Sequence, residues 1–142
     1  PRNTPVTSNR PDLLGRQFSL PGIKLPKAPG FAVFVATRSS CHFCSESLPF
    51  YRVLDQKRRT AKSTVPLYFV SSDSVEDLKR YVAGADISPD EVFSVEMRSL
   101  GVTVTPTIVV VDSAGTIKHA FYGVLTEQRA SELLKLVEQA AL

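Results

Sequence analysis

Cysteine is scarce in this sequence, tryptophan is absent, and no apolar run is long. Among 142 residues there are two cysteines, two histidines and one methionine. Two cysteines three positions apart are not the framework of a disulfide-stapled mini-protein. A bridge between them would close a tiny loop and restrict the unfolded chain little, so the pair is better suited to chemistry than to stapling. No apolar stretch approaches the ~20 residues that a membrane-spanning helix needs. Repeats and low-complexity tracts are also missing. Structural zinc commonly takes four Cys or His ligands, and beyond the cysteine pair only His42 and His119 remain. No metal site and no cofactor other than the cysteine pair is therefore expected.

What is present is an ordinary globular composition, 43% hydrophobic and 22% charged, with a net charge of +3. The charge is uneven. Residues 1–30 hold five basic residues (Arg2, Arg10, Arg16, Lys24, Lys27) and one acid, Asp12, leaving 12 basic and 13 acidic residues for the rest. The arm lacks dense basic clusters and interleaved aromatics, so it reads as solvated and no nucleic-acid partner is expected. Residues 1–12, rich in Pro, Asn, Ser and Thr, read as a flexible arm. Residues 13–142 read as one domain.

Residues 13–30 mix Leu13, Phe18, Leu20 and Ile23 with Pro21, Gly22, Pro26 and Gly30, which predicts short extended structure broken by turns. Phe31–Thr37 is apolar on both faces, as a central strand covered on two sides would be. A helix is predicted from about Cys41 to Lys62, kinked by Pro49. A second apolar strand spans 66–70. Ser74 caps a helix with Val75, Leu78, Val82 and Ala85 at helical spacing. A short strand at 91–95 and a short helix at 96–100 follow. A hairpin is predicted from strands 107–112 and 116–122. Thr126 caps a last helix with an apolar stripe of Ala130, Leu133, Leu134, Val137 and Ala141. This order describes a small α/β domain with a mixed sheet.

Cys41-His42-Phe43-Cys44 lies between a buried strand and a helix. Free N–H groups and partial positive charge at a helix N-terminus favour a thiolate, so the Cys41 pKa is expected below that of a free thiol. Cys44, one turn in, is expected to be more buried and placed to attack a mixed disulfide on Cys41. His42 and Phe43 are candidate tuning residues, a protonated His42 adding positive charge beside Cys41.

These features resemble the thioredoxin superfamily. Pro49 stands five residues after Cys44, as in thioredoxin's kinked active-site helix. Val104-Thr105-Pro106-Thr107 resembles the cis-proline loop, so the Thr105–Pro106 bond is expected to be cis. Gly115 and Gly123 match the hairpin-turn glycine and the glycine closing the last strand. The resemblance implies a thioredoxin-like fold, a mixed β-sheet sandwiched by helices, with an N-terminal extension and an insertion around 75–95. Within the superfamily the chain is most similar to the TlpA/ResA-like envelope thiol–disulfide oxidoreductases of bacteria. Gly15-Arg-Gln-Phe18 to Leu25 resembles the short strand segment before their core, and the insertion falls where theirs does.

That likeness implies a protein thiol–disulfide oxidoreductase. Cys41 is then the nucleophile, Cys44 the resolving thiol, and Thr105 with Pro106 the wall of a substrate groove. Protein thiols and disulfides are the expected partners. The protein is expected to be a monomer outside the cytoplasm, where members are held by an N-terminal tether. Two departures concern protons. Thioredoxin's buried aspartate, six residues before the first cysteine, is replaced by Val35. The glutamate that ResA-like proteins carry three residues after the second cysteine is replaced by Ser47, with Glu46 beside it turned toward solvent. Ser40 replaces the tryptophan common before the motif. Two alternatives remain open. One is a Sco-like copper chaperone using Cys41, Cys44 and His119, although that group spaces its cysteines as CxxxC. The other is a peroxiredoxin-type peroxidase, for which Thr37 stands one residue too early.

Overall fold

A computed structural model describes residues 12–61 and 65–140. The arm assigned to residues 1–12 therefore lies almost wholly outside the described residues, as do Lys62 and Ala141. The described chain runs β1 (Phe31–Ala36), α1 (His42–Thr60), β2 (Leu67–Ser71), α2 (Val75–Gly84), β3 (Glu91–Ser94), a 3₁₀ turn (Met97–Leu100), β4 (Thr107–Asp112), β5 (Ile117–Tyr122) and α3 (Glu127–Gln139). The five strands form one mixed sheet in the order β3-β2-β1-β4-β5. β1 pairs parallel with β2 and antiparallel with β4, and β3 adds parallel to β2.

β1 is central, and its alternating side chains enter two separate cores. Val33 and Val35 join Tyr51 and Leu54 of α1, Leu78 and Val82 of α2, and Leu133 and Val137 of α3. Ala32, Phe34 and Ala36 face the other way, toward Leu13, Phe18, Leu20, Met97, Leu100 and Val102. Three helices thus cover one face, while the N-terminal segment and the 3₁₀ turn cover the other. This two-sided burial explains why β1 carries no polar residue. In α3 the predicted stripe narrows to Leu133 and Val137 as its buried positions.

The insertion around 75–95 is α2 with the edge strand β3, and it widens the sheet by one strand. Ser74 caps α2 as expected, its Oγ accepting from the Asp77 amide at 3.1 Å. The strand segment expected within 15–25 reduces to a single bridge, Gln17 with Thr116. Glycines and prolines at 15, 21, 22, 26 and 29 prevent a longer ladder. Even so, the Phe18 amide donates to the Gly115 carbonyl at 2.8 Å and Ile117 donates to Arg16 at 2.9 Å, which fastens the extension to the hairpin. Gly115 sits at φ +85°, a backbone conformation in the turn that favours glycine, and a Cβ there would lie 3.0 Å from Gln17 Oε1.

Candidate active site

The site forms at one end of the sheet, where β1 stops and α1 begins. Cys41 is the N-cap of α1. Its backbone is extended, and its Sγ accepts from the Cys44 amide at 3.2 Å. The sulfur thus takes the place that a Ser or Asp oxygen usually fills, against amides that have no partner inside the helix. Cys41 is half-buried rather than fully exposed, because the loop before β4 closes over it: the thiol lies 3.6 Å from the Thr105 carbonyl. Cys44 is 0% exposed. Both are free thiols.

Their environments push the two thiols in opposite directions. For Cys41, burial acts upward, but hydrogen bonds from Cys44, from Thr105 and from the backbone N–H groups of Cys44 and Phe43 outweigh it. The net result is a pKa below the ordinary 9.0. For Cys44, burial raises the pKa first, and the hydrogen bond it gives Cys41 raises it further. Thr37, the Arg38 backbone and Thr105 pull it down without cancelling the rise.

The Thr105–Pro106 bond is cis. Pro106 is buried, and its carbonyl accepts from the Gly123 amide at 2.9 Å, which anchors the loop to the end of the hairpin. Thr107 Oγ1 donates to the Val104 carbonyl at 2.7 Å and holds the loop from its other side. Thr105 is thereby brought to Cys41 across 64 positions of sequence. Phe43 and Val104 present exposed apolar side chains. A groove lined by Arg38, Ser72, Glu96, Arg98, Thr103 and Thr105 runs alongside the loop.

His42 and His119 sit apart from this pair. The His42 side chain is 81% exposed, with Nε2 3.6 Å from Glu46, so the imidazole is directed along the helix surface. His119 is exposed on β5, near Glu132 and Lys135 of α3. Among the described residues no three His, Cys, Asp or Glu side chains gather as a metal would require. Cys41, Cys44 and His119 are therefore not brought together as a copper chaperone needs.

Residues 23–138 match the thioredoxin-like domain family. The chain belongs to that family. No curated protein matches it in sequence. Among solved structures, this thioredoxin-like chain is similar to a Chlorobium tepidum protein described as a thiol:disulfide interchange protein DsbE. The match covers 91% of this chain and 99% of that one, at 17% identity and a TM-score of 0.65. StoA from Bacillus subtilis matches 86% of this chain and 92% of its own, at 17% identity and TM-score 0.62. A secreted thiol-disulfide isomerase from Corynebacterium glutamicum matches 77% and 71%, at 15% identity and TM-score 0.59. At these identities the likeness is one of fold.

The sequence reading missed three hydroxyls beside Cys44. Thr37 and Tyr51 are 0% and 1% exposed, and Tyr81 of α2 shares a 3.0 Å hydrogen bond with Ser45. Tyr51 had a readable signal, since positions 44, 47 and 51 lie on one helical face. Thr37 and Tyr81 had none, because only the fold brings them there.

Proposed function

We propose that this thioredoxin-like protein exchanges a Cys41–Cys44 dithiol or disulfide with partner proteins. The observation that carries this reading is the opposed pair of thiols: one at a helix N-cap with a lowered pKa, the other fully buried with a raised one. At neutral pH the first is the better nucleophile and the second is held in reserve. The Cys41 thiolate attacks a partner disulfide, forming a mixed disulfide and releasing one partner thiolate. Cys44 then attacks the Cys41 sulfur, the internal disulfide forms, and the partner leaves with both of its cysteines reduced. The reverse sequence oxidises a partner.

Thr105 and Pro106 form the wall against which an extended partner segment lies, with Phe43 and Val104 as apolar contacts and His42 at the rim. The cysteine pair is the only redox group this chemistry requires. The structural neighbours include thiol:disulfide interchange proteins and a secreted isomerase, which supports action on protein thiols outside the cytoplasm. Among the described residues no helix is long and apolar enough to cross a membrane.

Trapping in cells tests the assignment. Cys44→Ser removes resolution while leaving attack intact, so mixed disulfides through Cys41 accumulate. Cys41→Ser traps almost nothing. Equal trapping by both variants, or trapping mainly through Cys44, overturns the assigned roles.

A further inference from the structure

Two arginines stand beside the thiol pair without a carboxylate. Arg58, Arg59, Arg80 and Arg129 each pair with an acid. Arg38 and Arg98 are exposed and pair with none among the described residues. They are 60 positions apart in sequence, yet both line the groove that runs alongside the loop before β4. Arg16 and Arg52 also lack an ion pair among the described residues, but neither lines this groove.

The backbones that carry Arg38 and Arg98 are tied down. The Arg38 carbonyl accepts from the Cys41 amide at 3.1 Å, and the next amide, that of Ser39, donates to Asp73 at 2.8 Å. Arg98 stands on the 3₁₀ turn Met97–Leu100. Gly101 closes this turn at φ +83°, its amide donating to the Arg98 carbonyl at 3.0 Å. The Ser99 hydroxyl donates to the Glu96 carbonyl at 2.6 Å and secures the start of the turn.

The groove has a volume of about 190 Å³. Sites for small molecules usually take about 300–1,000 Å³, so this one suits a side chain or two of a bound segment. Thr105 also lines it, and the Thr105 carbonyl lies 3.6 Å from the Cys41 thiol. A side chain in the groove therefore belongs to a residue close to the cysteine under attack. Met97 and Val102, both buried, offer apolar surface to methylene groups. Guanidinium groups recognise carboxylates through paired N–H donors. Glu96 is the one acid lining the groove among the described residues, and the two arginines leave the lining net positive.

We propose, on the exchange reading above, that Arg38 and Arg98 select partner proteins that carry an acidic side chain beside the reactive cysteine. The Glu or Asp carboxylate accepts from the guanidinium groups while the partner sulfur lies against Cys41. Glu96 opposes this attraction and limits it.

Short peptides test the selection. Each has one cysteine flanked on both sides by Glu, Gln or Lys, held as a disulfide with neutral thiopyridine. The Cys41 thiolate bonds to the peptide sulfur and the peptide–thiopyridine bond breaks. Thiopyridine leaves with the electron pair, takes a proton from solvent and is read as thiopyridone. Dividing each rate by that of mercaptoethanol with the same peptide removes the intrinsic reactivity of the disulfide. At low salt the reduced protein is expected to favour Glu over Gln about fivefold, the size of one or two exposed ion pairs. The Lys peptide should be slower than the Gln peptide. At about 0.5 M salt the preference should fall below about twofold.

Arg38→Gln and Arg98→Gln are each expected to lower the Glu-to-Gln ratio about twofold, and the double variant should bring it to about one. Taking the ratio cancels any effect of Arg38 on the Cys41 thiolate itself. Glu96→Gln is expected to raise the ratio. Arg52→Gln removes the same charge from α1, away from the groove, and should leave the ratio unchanged.

Equal normalised rates for the Glu and Gln peptides overturn the proposal. So does a preference that survives the double variant, or one that Arg52→Gln lowers as much, because net charge would then explain it. No thiopyridone from any peptide overturns the exchange reading itself, and the selection with it.

Discussion

Cys41 and Cys44 are three residues apart, yet the chain treats them as different acids. Cys41 accepts an amide hydrogen bond as an N-cap, and an acceptor of N–H groups is better charged than neutral. Cys44 faces the interior, where a thiolate loses its hydration. Alkylation with iodoacetamide reads this difference directly. The reduced native protein is expected to react once, at Cys41, with a pH midpoint below 9.0. Cys44 should remain unmodified until the protein is unfolded. Comparable labelling of both thiols in the native state would contradict the asymmetry. The His42 ring lies 3.6 Å from Glu46, one turn further along α1. This contact could not be read from the tetrapeptide alone, since it depends on the turn of α1 that follows.

At the scale of elements, the two ends of α1 do different work. Its first turn holds the two thiols. Its last turns pin down the inserted α2–β3 unit through a charged cluster. Asp55 is fully buried and accepts from Arg58 at 3.2 Å, Arg59 at 3.0 Å and the Ser88 amide at 2.9 Å. Arg58 donates to the Val65 carbonyl, to Ser88 and to Asp90, and Asp90 accepts from the Leu67 amide at 2.8 Å. The cluster therefore joins α1 to the start of β2 and to the loop entering β3. Removing one member of a buried ion pair leaves the other uncompensated, at a cost of about 3–5 kcal/mol. Asp90 still faces Arg58 after Asp55→Ala, so a loss of about 3 kcal/mol is expected. Urea unfolding monitored by circular dichroism measures it; a loss below about 1 kcal/mol would mean that the cluster is incidental. The variant is expected to keep its thiol exchange rate while folded, because the cluster does not touch the cysteines.

For the whole molecule, the thiol environments make stability depend on redox state and pH together. The folded pKa of Cys41 is below its unfolded value, so its contribution is fully present above about 9 and fades as pH falls through the folded value. The folded pKa of Cys44 is above its unfolded value, so its contribution is present below about 9 and fades as pH rises through the folded value. The two windows meet near the ordinary thiol pKa. Between pH 6 and 8.5 the reduced form should therefore gain stability relative to the disulfide form, which does not titrate there. Melting temperatures of both forms across this range measure the difference. A gap that is flat, or that shifts in favour of the disulfide form as pH rises, would contradict the thiolate stabilisation assigned to Cys41.

The elements and the reactive pair were legible because their causes are local. The apolar run of β1, the caps at Ser74 and Thr126, the β4–β5 hairpin and the spacing from Cys41 to Pro49 each reflect physics acting within a few residues. The pairing of Thr105 with Pro106 was legible through resemblance, and the structure places that loop against Cys41. Other features had no local cause. The N-terminal extension reads as a short strand, but its docking on the turn before β5 through the Gln17–Thr116 bridge is set by the fold. The unequal cover of the sheet, helices on one face and extension on the other, follows from how the layers pack. Thr37 looks like the polar end of an apolar strand, and Tyr81 like one aromatic on an amphipathic helix. They stand 44 positions apart, and only the stacking of α2 and α1 against the sheet brings both beside Cys44. The sequence by itself determined which thiols share a helix start, because a helix start is built from neighbouring residues. Tertiary packing alone decided which hydroxyls surround the buried thiol, because burial and long-range contact exist only once the chain has closed on itself.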